Sequence, residues 1–199
     1  MKKLLLTSNG LTSAALKKVF IELLVKPPAE AVVVMMHAIR SPGDIKALTA
    51  IFMRLGIKKS NIHYVDIRTH ATLPKAFDVF FACGGNTFYI LQRTRALGFD
   101  AVIKEFVREG GLYVGLSAGS IIAGKTIEIA GWGSEGDRNY LGLCDLRGLD
   151  LTDIAVFPHY KNRFRREVRD FAKHISYPVV ALRDRQAIAV TGTHTALIG

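Results

Sequence analysis

Apolar runs of strand length recur along this chain without polar alternation, and each is followed by a stretch long enough for one helix. Val32-Val33-Val34-Met35-Met36 is the clearest of them; residues 3–7 and 79–82 follow the same pattern, and 62–67 is a further strand-like run. A strand wetted on one face alternates apolar and polar side chains, whereas an unbroken run belongs to a strand buried on both faces. That burial is offered by a parallel sheet with helices packed on each side. Helical spacing fills the intervals at 13–24, 44–55 and 87–97. With right-handed crossovers, this rhythm predicts a three-layer α/β/α sandwich around a mostly parallel central sheet. Pro27-Pro28, Ser41-Pro42-Gly43 and Gly84-Gly85-Asn86 punctuate the elements as loops do, and no repeat or linker divides the chain, so residues 1–199 are expected to form a single domain.

Further along, a helix over 99–109 closes on Gly110-Gly111 and leads into the strand-like Leu112-Tyr113-Val114. Residues 126–129 read as a short exposed strand. Residues 131–142 hold four glycines and the only tryptophan, and are expected to lie as a loop over the site. Helical spacing returns at 163–175, an apolar run occupies 154–157, and late strands are expected at 179–182, 187–190 and 195–198.

The strand at Leu112 runs straight into Gly115-Leu116-Ser117-Ala118-Gly119. A serine hydroxyl is a weak nucleophile at neutral pH and needs exposure at a sharp strand-to-helix turn, with a base within reach; small neighbours leave that space. Phe157-Pro158-His159-Tyr160 supplies a histidine after another apolar run. Carboxylates lie between the two at Glu135 and Asp137, so the chain order reads serine, acid, histidine. In open α/β sheets, sites form beyond the carboxyl ends of the strands, which predicts that the loops at 83–86, 117–119 and 158–160 converge there.

At 199 residues, with 49% hydrophobic and 22% charged residues, the chain has enough apolar material for a substantial core. The opening Met1-Lys2-Lys3-Leu4-Leu5-Leu6 is interrupted by Thr7-Ser8-Asn9-Gly10 too early for a signal-peptide core or a membrane span, so it is expected to be a first strand in a cytoplasmic protein without a membrane partner. Cys83 and Cys144 lack paired spacing. No histidine pair has zinc-helix spacing, and neither metal nor cofactor is implied. A formal charge of +10 permits a nucleic-acid partner, but the basic residues are dispersed except across 161–169 and no nucleic-acid-binding motif is legible. A solvated basic face is the preferred explanation, with an acidic substrate as a third reading.

Taken in order, Gly84-Gly85-Asn86-Thr87-Phe88, Gly115-Leu116-Ser117-Ala118-Gly119 and Pro158-His159-Tyr160 resemble the Gly-Gly-Asn, nucleophile and histidine segments of the peptidase E, or aspartyl dipeptidase, family of serine exopeptidases. The resemblance implies a flavodoxin-like architecture of the class I glutamine amidotransferase type. It implies Ser117 as nucleophile, His159 as base, and the backbone amides of Gly85 and Ala118 as oxyanion hole. The third member, counted back from the histidine, falls on Asp137, with Glu135 in reserve and a serine–histidine dyad left open. The implied activity is hydrolysis of short peptides with N-terminal aspartate, by a monomer or homodimer whose partner is a small peptide. Recognition of the aspartate side chain calls for a guanidinium, for which Arg163 and Arg166 are the candidates. Asn86 is expected to cap the following helix, with a substrate contact in addition. Two rivals stand beside this reading: a non-catalytic binding module holding an acidic or nucleic-acid partner, and a serine hydrolase of cyanophycinase type.

Overall fold

The structure is a computed structural model that describes residues 1–38 and 41–199. Its elements run β1 (Lys3–Thr7), α1 (Ala14–Leu23), β2 (Val33–His37), α2 (Pro42–Arg54), β3 (Ile62–Asp66), β4 (Val79–Ala82), α3 (Thr87–Ala96), α4 (Phe99–Arg108) and β5 (Leu112–Leu116). There follow α5 (Ala118–Ile121), β6 (Ala155–Phe157), α6 (Arg165–Ala172), β7 (Val179–Ala181), β8 (Ala187–Thr191) and β9 (His194–Ile198). Seven strands form the main sheet in the order β3-β2-β4-β5-β1-β8-β9. The first five are mutually parallel, whereas β8 runs antiparallel to β1 and β9 antiparallel to β8.

The unbroken apolar runs do what their composition requires. Successive side chains of a strand point to opposite faces, and here both faces are buried. Leu5, Val33, Met35, Val79, Phe81 and Val114 face Leu16, Phe20 and Leu23 of α1 and Phe52 of α2. Leu4, Leu6, Val34, Met36, Phe80 and Tyr113 face Leu91 of α3 and Ile103 and Val107 of α4. On the first face Phe20, Phe52 and Phe81 meet edge to face, with ring centroids 5.7 and 5.1 Å apart. The helices start where capping chemistry places them: Ser13 Oγ accepts from the Leu16 N–H and Asn86 Oδ1 from the Tyr89 N–H. Helix α2 begins at Pro42, earlier than its periodicity predicts, because proline fits a first turn that has no amide to satisfy.

Two segments depart from the sequence expectation. Residues 126–129 do not form an exposed strand. Thr126 makes one isolated bridge to Arg147, and Glu128–Gly131 is a 3₁₀ turn; Ile127 just before it and Ile129 within it are buried in the core. The apolar alternation there serves packing, not pairing. The predicted helix at 163–175 is a 3₁₀ turn, Asn162–Phe164, continued by α6 to Ala172.

β6 and β7 stay out of the main sheet. They pair in parallel with each other, Ala155 with Val179 and Phe157 with Ala181. Their carboxyl ends therefore lie side by side, and the chain leaves them towards His159 and Asp184. Among the described residues, no helix is long and apolar enough to cross a membrane.

Candidate active site

Strand β5 delivers Ser117 into a sharp turn at the head of α5. Its backbone has φ 51° and ψ −110°, a combination that penalises any residue with a Cβ. The turn is held by the Ser117 N–H donating to Thr7 O at 3.0 Å and the Ser120 N–H to Ser117 O at 2.8 Å. From below, the buried Tyr113 hydroxyl donates to Gly119 O at 2.6 Å, and burial pushes that phenol's pKa far up, keeping it a donor. Gly119 is packed so closely on β4 that a Cβ there would stand 2.1 Å from Ala82 O. The elbow glycines thus admit backbone to backbone, a tighter demand than room for a base.

His159 follows β6 with its own backbone in the left-handed region, φ 55°. Its Nε2 lies 3.0 Å from Ser117 Oγ and its Nδ1 2.6 Å from Asp184 Oδ1. A carboxylate on Nδ1 selects the tautomer with the proton there, which leaves the Nε2 lone pair facing the serine hydroxyl. Ser8, fully buried just beyond β1, binds both partners: its Oγ accepts the His159 backbone N–H at 2.7 Å and donates to Asp184 Oδ1 at 3.4 Å. The His159 and Asp184 side chains are 48% and 53% exposed, so this relay stands in the mouth of a cleft and not in the core.

The expected third member lies elsewhere. Asp137, which the motif spacing favours, turns to α3: its Oδ2 accepts from the Thr87 N–H at 2.8 Å and the Thr87 hydroxyl at 2.6 Å. Glu135 is held by Arg163, whose Nη2 lies 2.8 and 3.0 Å from its two carboxylate oxygens. Neither is brought to the His159 ring, and no dyad is left either, because Asp184 occupies the place. Asp184 and Ser8 escape a sequence reading that looks for the acid between serine and histidine. The signal available was the short run at 179–182 leading to Arg183-Asp184-Arg185, a carboxylate just past a strand end.

Gly85 lines a cavity together with Ser117, and Ala118 follows the serine at the head of α5. Gly85 adopts φ +144°, and neither backbone N–H meets a protein acceptor among the described residues. The cavity, of about 240 Å³, is lined by Gly85, Thr87, Ser117, Trp132, Asp137, His159, Lys161 and Glu167 among others. The loop at 131–137 forms one wall, as expected for a segment over the site; Asp137 N–H pins it by donating to Ala130 O at 2.7 Å.

The other predicted contacts do not reach this cavity. Asn86 spends both ends of its amide on structure, capping α3 and donating to Arg138 O at 2.9 Å. Arg163 lies over the Phe164 ring, 4.7 Å from its centroid, and is engaged by Glu135. Arg166, 85% exposed, faces Asp170 at 3.5 Å. Lys161 is the cation that lines the cavity, and it has no ion-pair partner among the described residues. Cys83, just before the Gly-Gly loop, is buried, and that burial pushes its thiol pKa up; it behaves as a small hydrophobe.

The model for peptidase family S51 matches residues 4–198. Among similar proteins, an uncharacterized peptidase of Listeria monocytogenes is 33% identical over 91 residues, covering 46% of this chain and 44% of that protein. Peptidase E of Escherichia coli is 32% identical over 123 residues, covering 60% of this chain and 49% of the relative. The chain thus spans about half the length of the curated relatives it matches. A crystal structure from Listeria monocytogenes EGD-e, of a candidate peptidase E, superposes with a TM-score of 0.78 at 23% identity and covers 99% of this chain and 98% of its own. The structure of a peptidase from an acI-B1 actinobacterium gives 0.69 at 18% identity, covering 100% and 88%. At these identities the two structures speak for a shared α/β fold.

Proposed function

Because the chain belongs to peptidase family S51, we propose that it is a cytoplasmic serine exopeptidase that removes the N-terminal residue of short peptides through an acyl-enzyme. The observation that carries this reading is the continuous chain Ser117 Oγ, His159 Nε2, His159 Nδ1, Asp184 Oδ1, open to the cavity. In the proposed cycle His159 Nε2 takes the hydroxyl proton as Ser117 Oγ attacks the scissile carbonyl carbon. The Gly85 and Ala118 amides hold the developing oxyanion, and Asp184 stabilises the imidazolium. His159 then protonates the leaving amine, and water, activated by the same ring, releases the acyl group. The volume of the cavity favours one residue and its neighbour over a longer segment, since clefts for drug-sized ligands run to roughly 300–1,000 Å³.

Aspartate is the first residue we propose, with Lys161 in place of either arginine as the cation that meets its side chain; the lysine lines the cavity and both arginines are engaged outside it. A serine-directed fluorophosphonate should label the native but not the denatured protein, and Ser117→Ala should abolish both labelling and turnover. Near-wild-type turnover in Ser117→Ala rejects the reaction class. Across dipeptides beginning with Asp, Glu, Asn and Ala, Lys161→Met should lower kcat/KM on the acidic substrates by roughly ten- to a hundredfold and leave the Ala-first rate unchanged. Equal losses on all four would make the lysine a structural residue.

A further inference from the structure

The cavity wall holds a carboxylate that the relay does not use. We infer that Asp137 binds the substrate's α-ammonium group and so confines the enzyme to peptides with a free, protonated N-terminus. This rests on the exopeptidase reading above and names the residue that makes it an exopeptidase.

The three carboxylates lining the cavity differ in what they have left to offer. Glu135 has both oxygens taken by Arg163, and Glu167, whose Oε1 accepts from the Ser134 hydroxyl at 3.1 Å while its Oε2 lies against Gly133, has no link to Thr87 and the Gly85 loop among the described residues. Asp137 accepts twice at Oδ2, from Thr87, and nothing in the described residues donates to its Oδ1 or pairs with its charge. A carboxylate has about four acceptor sites, and an ammonium brings three donors and no acceptor. The free oxygen of Asp137 thus meets the chemistry of an amine and not that of an acid.

The position of Asp137 is fixed relative to the proposed chemistry. Its Oδ2 is anchored on the amide of Thr87, two residues beyond Gly85, whose own amide is the candidate oxyanion donor. Two residues span roughly 7 Å or less. In a substrate, the scissile carbonyl oxygen and the α-nitrogen are three bonds apart, so adding a hydrogen bond of about 2.8 Å at each end covers that reach. A carbonyl oxygen on Gly85 N–H therefore leaves the α-nitrogen within range of Asp137. The anchoring also fixes the side chain: two Thr87 donors and the Asp137 N–H on Ala130 O hold the carboxylate at the start of the ten-residue helix α3.

The test compares the best dipeptide of the panel with its N-acetyl form and its desamino form, which differ from it at the amine alone. The wild-type enzyme should prefer the free amine by roughly ten- to a hundredfold in kcat/KM, carried mainly by KM. In Asp137→Asn, which keeps an acceptor for Thr87 and loses the charge, that preference should fall to about twofold, with fluorophosphonate labelling of Ser117 within a fewfold of wild type. A second measurement needs no variant. As pH rises through the substrate's α-amine pKa, about 7.7–8.0, kcat/KM on the free dipeptide should fall relative to the rate of fluorophosphonate labelling. A labelled Asp137→Asn enzyme with undiminished preference, or a wild-type ratio that stays flat across that pH range, overturns the assignment alone. If the wild type neither labels nor turns over any of the three peptides, the exopeptidase reading falls and the assignment with it.

Discussion

The residue that orients His159 is Asp184, reached only after the histidine in the chain, and a decisive comparison follows from its place. Asp184→Asn keeps the shape and loses the preference for the correct tautomer and the compensation of the imidazolium. Turnover should drop by about 10²–10⁴-fold, towards the lower end because the pair is half exposed, whereas Glu135→Gln should stay within a fewfold of wild type. Equal activity of the two variants would leave Asp184 without a catalytic role. The nucleophile carries a second prediction. Ser117 holds φ 51° and ψ −110°, a conformation that costs a residue with a Cβ about 1–3 kcal/mol. Ser117→Gly relieves that strain, less about 0.5–1 kcal/mol of extra chain entropy in the unfolded state. It should be inactive and melt a few degrees higher than Ser117→Ala, at roughly 2–4 °C per kcal/mol for a chain of this size. Identical melting temperatures would mean that the elbow stores no strain. Ser117 and His159 were legible because each stands in a short motif whose local geometry is also its chemistry. Asp184 was not, because its closeness to His159 is a fact about β6 lying beside β7, and no local pattern encodes that pairing.

At the scale of elements, the parallel strands were legible where both faces are buried, as in β1 and β4, whose ends coincide with the apolar runs. Residues 126–129 misled because buried 3₁₀ packing and a half-exposed strand leave the same short apolar alternation. Backbone meets backbone directly under the nucleophile, where α5 rests on β4 at Gly119. A methyl group there would stand 2.1 Å from the Ala82 carbonyl, and no side-chain rotation relieves a clash with backbone. Gly119→Ala should cost about 1–3 kcal/mol or more and lower the melting temperature by several degrees. It should also reduce fluorophosphonate labelling, since the helix can retreat only by carrying Ser117 with it. A variant that is less stable but labels at the wild-type rate would separate the elbow's packing from its alignment.

For the whole molecule, the charge of +10 is not spread evenly about the site. Lys161, Arg163, Arg165, Arg166, Arg169, Arg183 and Arg185 all belong to the turns and helix that follow β6 and β7, and all are exposed. A basic rim of this kind raises the arrival rate of anions, and salt screens it over about 8–10 Å at 0.1–0.15 M. Between about 20 and 200 mM salt, kcat/KM should fall several-fold for a peptide with net negative charge and stay level for a neutral one; parallel responses would show that the rim does not steer substrate. The same two strands give the molecule a mechanical property. Ser117 rides on the seven-stranded sheet, while His159 and Asp184 ride together on the two-stranded one. A reagent that bonds to Ser117 and also accepts a hydrogen bond from His159 is therefore a staple across a seam. Amide hydrogens of β6 and β7 should exchange more slowly once it is in place, although neither strand touches it, and an adduct on the serine alone should leave their exchange unchanged.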